Sequence, residues 1–135
     1  GTDAMTVNMR EEVRVALWLR HLAERDPSVG FVETLSLLLD GNRRIADRYW
    51  PGVGLGELRE GGAADIVLLD YHPPTPLDEA SFLGHAAFGL AAAGVDTTIV
   101  GGRVLMTGKR LELDLDEGEV AAEARGRARL LWERF

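Results

Sequence analysis

Residues 54–70, GLGELREGGAADIVLLD, decide how this chain is to be read. Gly54, Gly56, Gly61 and Gly62 punctuate a loop in which tight turns, including left-handed backbone, come at little steric cost. The loop runs into Ile66-Val67-Leu68-Leu69, a continuous apolar run bounded by turn signals, which predicts a strand buried on both faces. Asp65 stands just before the run, where its carboxylate is expected to accept local backbone N–H groups and fix the strand's start. A glycine-rich loop followed by a strand lacks the strand–loop–helix order of phosphate sites, so this stretch is read as structural.

Around that stretch the composition is that of an ordinary globular protein. The 135 residues suit a single domain, with 46% hydrophobic and 27% charged residues. The net charge of −7 argues against a nucleic-acid or anionic-membrane surface, because both need a basic face. With no cysteine there is neither a disulfide framework nor a thiolate metal site, which is compatible with the cytoplasm. No apolar run approaches membrane-spanning length, and no charged-then-apolar leader opens the sequence.

Apolar residues at helical spacing (Val13, Ala16, Leu17, Leu22) predict a helix from about Asn8 to Glu24, ended by Pro27 and Gly30. A second helix is expected from Phe31 to Leu39, with Val32, Leu35, Leu38 and Leu39 inward. Asp40-Gly41 is expected to stop it, and Asn42 to cap a short third helix reaching Arg48. Tyr71 to Pro76 reads as an extended connector, since a residue before proline is pushed out of the α region. Helix is expected from Asp78 to Leu90. Val95 to Val100 and Arg103 to Met106 should form a hairpin around Gly101-Gly102, followed by a short strand at Arg110 to Leu113. A final helix should start at Asp116 or Glu117 and reach Trp132, its acidic start and arginine-rich end matching the helix dipole. Trp18, Trp50 and Trp132 are read as core or interface anchors.

The order of motifs carries a resemblance. LGELREGGAADIVLLD (55–70), YHPPTPL (71–77), GHAAFG (84–89), VDTTIVGGRVLM (95–106) and ARLLWERF (128–135) follow one another as in the tail of the aminohydrolases and chlorohydrolases of the amidohydrolase superfamily. The likeness is greatest to the SsnA-type aminohydrolases. It implies a mixed α/β chain. Residues 1–48 would be the last helices of a (β/α)8 metallo-hydrolase barrel. Residues 49–135 would be part of the accompanying β-sandwich, or composite, domain with a C-terminal helix. Gly1-Thr2-Asp3 is similar to the motif that ends the barrel's eighth strand. By that resemblance Asp3 would be both metal ligand and catalytic carboxylate, taking up the proton that a metal-bound water releases. The intact parent would then use a divalent metal, zinc or iron, to hydrolyse C–N or C–halide bonds, with an amino or halide leaving group on a nitrogen heterocycle.

The sequence departs from that pattern in its histidines. His21, His72 and His85 form no His-x-His pair and match none of the family's metal positions. One carboxylate cannot make the three- or four-ligand site of zinc catalysis, so no metal is expected to bind this chain alone. His85, among small apolar residues, is expected to be a hydrogen-bonded packing residue. Two readings stay open. One is a fragment of a metal-dependent hydrolase whose partner is the missing barrel portion. The other is a stand-alone, non-catalytic module that associates with another copy of itself. Either way a homo-oligomer is expected, because the strands would leave an open sheet edge and the first helix an uncovered apolar face.

Overall fold

The computed structural model describes residues 6–135; Asp3 and its neighbours 1–5 lie outside the described residues. The described chain is mixed α/β: three helices, a four-stranded antiparallel sheet interrupted by a short helical crossover, and a terminal helix.

α1 (Met9–Glu24) starts where Asn8, in extended conformation, accepts the Arg10 N–H with its side chain. It ends where Arg25 adopts the left-handed conformation and donates its N–H to the His21 carbonyl. α2 (Phe31–Ser36) does not stop at Asp40-Gly41 as expected. The backbone widens into a π segment, Leu37–Gly41, and continues directly into α3 (Asn42–Tyr49). Gly41 keeps right-handed helical angles, so the π turn absorbs the glycine and Asn42 lies in the helix rather than capping it.

β1 (Ile66–Asp70), β2 (Gly94–Val100), β3 (Arg103–Thr107) and β4 (Arg110–Leu111) lie side by side in sequence order, each antiparallel to the next. The expected hairpin is present: Val100 faces Arg103 across Gly101-Gly102, and both glycines take positive φ. Gly108 and Lys109 make the second two-residue turn, between Thr107 and Arg110, also with positive φ at both positions. The last strand is shorter than expected, ending at Leu111. Asp65 does not bond locally. Its Oδ1 accepts the Gly101 N–H at 2.6 Å, so it ties the start of β1 to the β2–β3 turn.

Between β1 and β2 the chain crosses over. Helix begins at Phe82 rather than Asp78, with α4 (Phe82–Gly84) running into a second π segment, His85–Leu90. Asp78 instead closes a turn, accepting the N–H groups of Ala80 and Ser81. α5 (Glu117–Trp132) is capped by Asp116, which accepts from Gly118 and Glu119.

The hydrophobic core is small. Leu17 is fully buried, with Ala87 and Ala91 close to it in burial. β1 is not buried on both faces: Val67 and Leu68, which point to opposite faces of the strand, are each about half exposed. The tryptophans are not core residues either. Trp18, Trp50 and Trp132 are 51%, 58% and 71% exposed, and the Arg14 guanidinium lies over the Trp18 ring at 5.1 Å. Val32 and Leu39, expected inward, face solvent.

Candidate functional site

Thr6 is held by residues at the start of α1. Thr6 Oγ1 accepts the Asn8 N–H at 3.0 Å and donates to Glu11 at 3.2 Å. Asn8 then reaches across the chain, its Nδ2 donating to the Ala91 carbonyl at 3.2 Å. Arg10 does the same with two nitrogens, to Leu90 O at 2.9 Å and Ala93 O at 2.8 Å. Carbonyls at a helix C-terminus have no intrahelical donor. A guanidinium fork that supplies two donors to them is a cap from a remote part of the chain. The sequence gives no sign of it, because Arg10 reads simply as the polar side of an amphipathic helix.

The connector after β1 is fastened by the second constellation. His85 is 7% exposed, on the first turn of its π segment. Its Nδ1 is 2.6 Å from Tyr71 Oη, and its Nε2 is 3.2 Å from Pro76 O and 3.1 Å from Thr75 Oγ1. A carbonyl only accepts, which assigns the proton to Nε2 and leaves Nδ1 to accept from the tyrosine. Gly89 makes the approach possible: a Cβ there would collide with the Tyr71 hydroxyl. A cavity of about 440 Å³ opens beside this cluster, walled by Phe88, Pro74 and Gly84. Ser81, also on its wall, donates its hydroxyl to Pro76 O at 2.7 Å. Every polar group here is therefore already engaged inside the chain. With its proton on Nε2, His85 has both ring nitrogens engaged, and the Ser81 hydroxyl gives its proton to the Pro76 carbonyl rather than to a base. His85 is the hydrogen-bonded packing residue its sequence context suggests.

The other two histidines stand apart. His21 Nε2 is 2.9 Å from Val29 O, closing the turn between α1 and α2, and its ring tilts against Phe31. His72 is exposed, 3.8 Å from Asp70. Asp70 instead pairs with Lys109 at 2.6 Å, joining the end of β1 to the β3–β4 turn. That hydrogen bond and charge hold the Asp70 carboxyl below the usual aspartate range and raise Lys109 above the usual lysine range. Asp78 is likewise held low, first by the Ser81 N–H. Among the described residues, no three His, Cys, Asp or Glu side chains gather where a metal ion could bind. The one candidate carboxylate from the sequence, Asp3, lies outside them.

No family profile matches the chain. Curated enzymes do match it, nearly end to end. It is 35% identical over 143 residues to the 5-methylthioadenosine/S-adenosylhomocysteine deaminase of Desulforudis audaxviator, an alignment that takes in 98% of this chain and 31% of that enzyme. Deaminases of the same name from Pelotomaculum thermopropionicum and Dictyoglomus thermophilum are 33% and 32% identical over 133 residues, each alignment covering 95% of this chain and 30% of the relative. With the motif order of residues 55–135, these matches place the chain in the amidohydrolase superfamily. Within it, the chain belongs with the aminohydrolases, and it spans about a third of the length of the curated relatives it matches. Among the described residues, no helix is long and apolar enough to cross a membrane.

Proposed function

We propose that this chain is the C-terminal part of a metal-dependent aminohydrolase that releases ammonia from a nitrogen heterocycle, and that it does not catalyse the reaction alone. The observation that carries this reading is the 35% identity to a deaminase across 98% of the chain. The substrate class follows from the relatives' names: an adenosine carrying a thioether at its 5′ position, as in 5-methylthioadenosine or S-adenosylhomocysteine. The described residues do not fit a metal, so its other ligands belong to the missing barrel portion. Asp3 is the residue this chain would contribute, as ligand and proton acceptor. Asn8 and Arg10 fasten the start of α1 to the end of the crossover, through the carbonyls of Leu90, Ala91 and Ala93. The exposed apolar faces fit a chain that is covered in use, by the barrel portion or by a second copy.

A chimera tests the proposal. This chain replaces the matching third of the Desulforudis audaxviator deaminase, and ammonia release from 5-methylthioadenosine is measured. Activity is expected, with Asp3→Asn lowering kcat by roughly 10²–10⁴-fold, the usual contribution of a positioned acid–base group. A folded chimera without activity, or Asp3→Asn with unchanged turnover, overturns the reading. So does deaminase activity in the 135-residue chain alone.

A further inference from the structure

The buried side chains lie in one part of the molecule. Leu17, Thr34, His85, Ala87 and Ala91 belong to α1, α2 and the crossover; among the described residues of the strands, only Thr97 reaches comparable burial. Helices pack on helices and strands on strands. Among the described residues, no helix and strand share more than an incidental contact. The crossover joins two strands, yet it sides with the helices: it packs on α1 and α2, and its Phe88 meets Phe31 edge-on with ring centroids 5.9 Å apart. A cleft of about 690 Å³ lies between the start of α1 and the sheet, with Met9 on one wall and Val67, Leu69 and Val95 on the other. There are thus two bodies, a helical one (α1 to α3 with the crossover) and the sheet (β1 to β4). Bodies without a large apolar interface move relative to each other by default.

The joint between them sits at one corner of the sheet. Asp70, the last residue of β1, and Gly94, the first of β2, are partners in the ladder, so the chain leaves and re-enters the sheet side by side. Each neighbour of that pair is pinned to the helical body. Tyr71, next to Asp70, donates its hydroxyl to His85 Nδ1 at 2.6 Å. Ala93, next to Gly94, has its carbonyl gripped by Arg10 at 2.8 Å, and Asn8 holds Ala91 O two residues earlier at 3.2 Å. The return passage, Ala91-Ala92-Ala93-Gly94, carries nothing larger than a methyl group, which suits backbone that has to absorb a change of angle. The remaining link, residues 50–65, meets β1 at its opposite end. It is bonded to the sheet through Ala64 O, which accepts the Gly102 N–H at 3.0 Å, and to α3 through the half-exposed Arg43–Glu57 ion pair, a weak kind of tether.

We propose that the sheet is hinged on the helical body at the Asp70–Gly94 corner, and that the Tyr71–His85 and Arg10–Ala93 bonds are the two pins that set its angle. The hinge is made by this chain's own backbone and side chains, so it depends neither on what covers the two bodies nor on the enzymatic reading: an inactive chimera leaves it standing.

Electron-spin distance measurement tests it on the 135-residue chain, with labels at Arg44→Cys on α3 and Arg103→Cys on β3 and with unlabelled chain in excess. The sequence has no cysteine of its own, so only those two positions take the label. With both pins intact the distance distribution should be narrow. Arg10→Ala with Tyr71→Phe should at least double its width, and Tyr71→Phe alone, which removes only a hydroxyl, should widen it less. A second pair of labels, Glu24→Cys and Arg44→Cys, lies wholly on the helical body and should keep its distribution in every variant. A distribution between the bodies that is already broad with both pins present overturns their role, and one that stays narrow when both are removed overturns the hinge. Equal broadening within the helical body overturns it too, because the bonds would then hold that body together rather than set an angle.

Discussion

The crossover between β1 and β2 and the terminal helix α5 have similar sequence texture, with small residues, apolar residues and glycines in both, yet they are held in different ways. In the crossover, His85 bonds Tyr71, His85 and Ser81 both bond the Pro76 carbonyl of the connector, and Arg10 and Asn8 close its far end from 80 or more residues away. In α5 the side-chain hydrogen bonds are local, within Asp116–Glu119 and Glu123–Arg127. The difference teaches that helical pattern sets which segments are helical, whereas long-range bonds to backbone carbonyls set which helices belong to the folded body.

Three substitutions and a truncation would break or sharpen that contrast. Leu17→Ala removes the one fully buried large side chain among the described residues and should cost about 2–5 kcal/mol. Urea unfolding measures it, and a loss below 1 kcal/mol would mean that the body does not depend on this core. His85→Ala strands the Tyr71 hydroxyl and the Pro76 carbonyl and should cost roughly 1–3 kcal/mol, while making the connector 71–77 the first site of proteolytic cleavage. Arg10→Ala should cost about as much, because two carbonyls lose charged donors. Hydrogen exchange at Ala92 to Gly94 should rise selectively, whereas uniform exchange would place the effect elsewhere. By contrast, ending the chain at Leu113 removes α5 and should leave the unfolding midpoint of the remaining body unchanged at concentrations too low for association.

The smallest effect belongs to the surface pair. Asp70 is held below the ordinary carboxyl value of 3.8 by Lys109, so its contribution to stability is present above that value and fades as the pH falls through its lowered one. Lys109 is raised above 10.5, so its share is present below that value and lost as the pH rises through the raised one. Asp70→Asn should therefore reduce stability slightly at neutral pH and make no difference in strong acid. A gap between parent and variant that widens toward acid would contradict this assignment of the pair.

The secondary structure was legible where local chemistry decides it. Asn8 and Asp116 cap helices, Gly101-Gly102 turns a hairpin, and alternating carboxylates and arginines mark α5. The errors came where a neighbour overrides the local signal. Asp40-Gly41 reads as a stop, but a π turn lets the helix pass through it. Asp65 reads as a local cap, but the Gly101 N–H, 36 residues away, takes its oxygen. Ile66–Leu69 reads as a doubly buried strand, because periodicity reports what a segment is suited to bury and not whether a covering layer is present. For the candidate site, the motif order led to the aminohydrolases and Asp3 to a role that only a longer protein could test.

The sequence by itself determined the element types, the hairpin and the family, since these depend on residue spacing and on backbone preferences within a few positions. Only the tertiary structure decided that His85 is saturated by Tyr71 and Pro76, that Arg10 caps a helix end 80 residues away, and that α5 stands without a covering layer among the described residues. Those facts depend on which distant groups meet, and a buried donor or acceptor takes whatever partner the fold brings within about 3 Å.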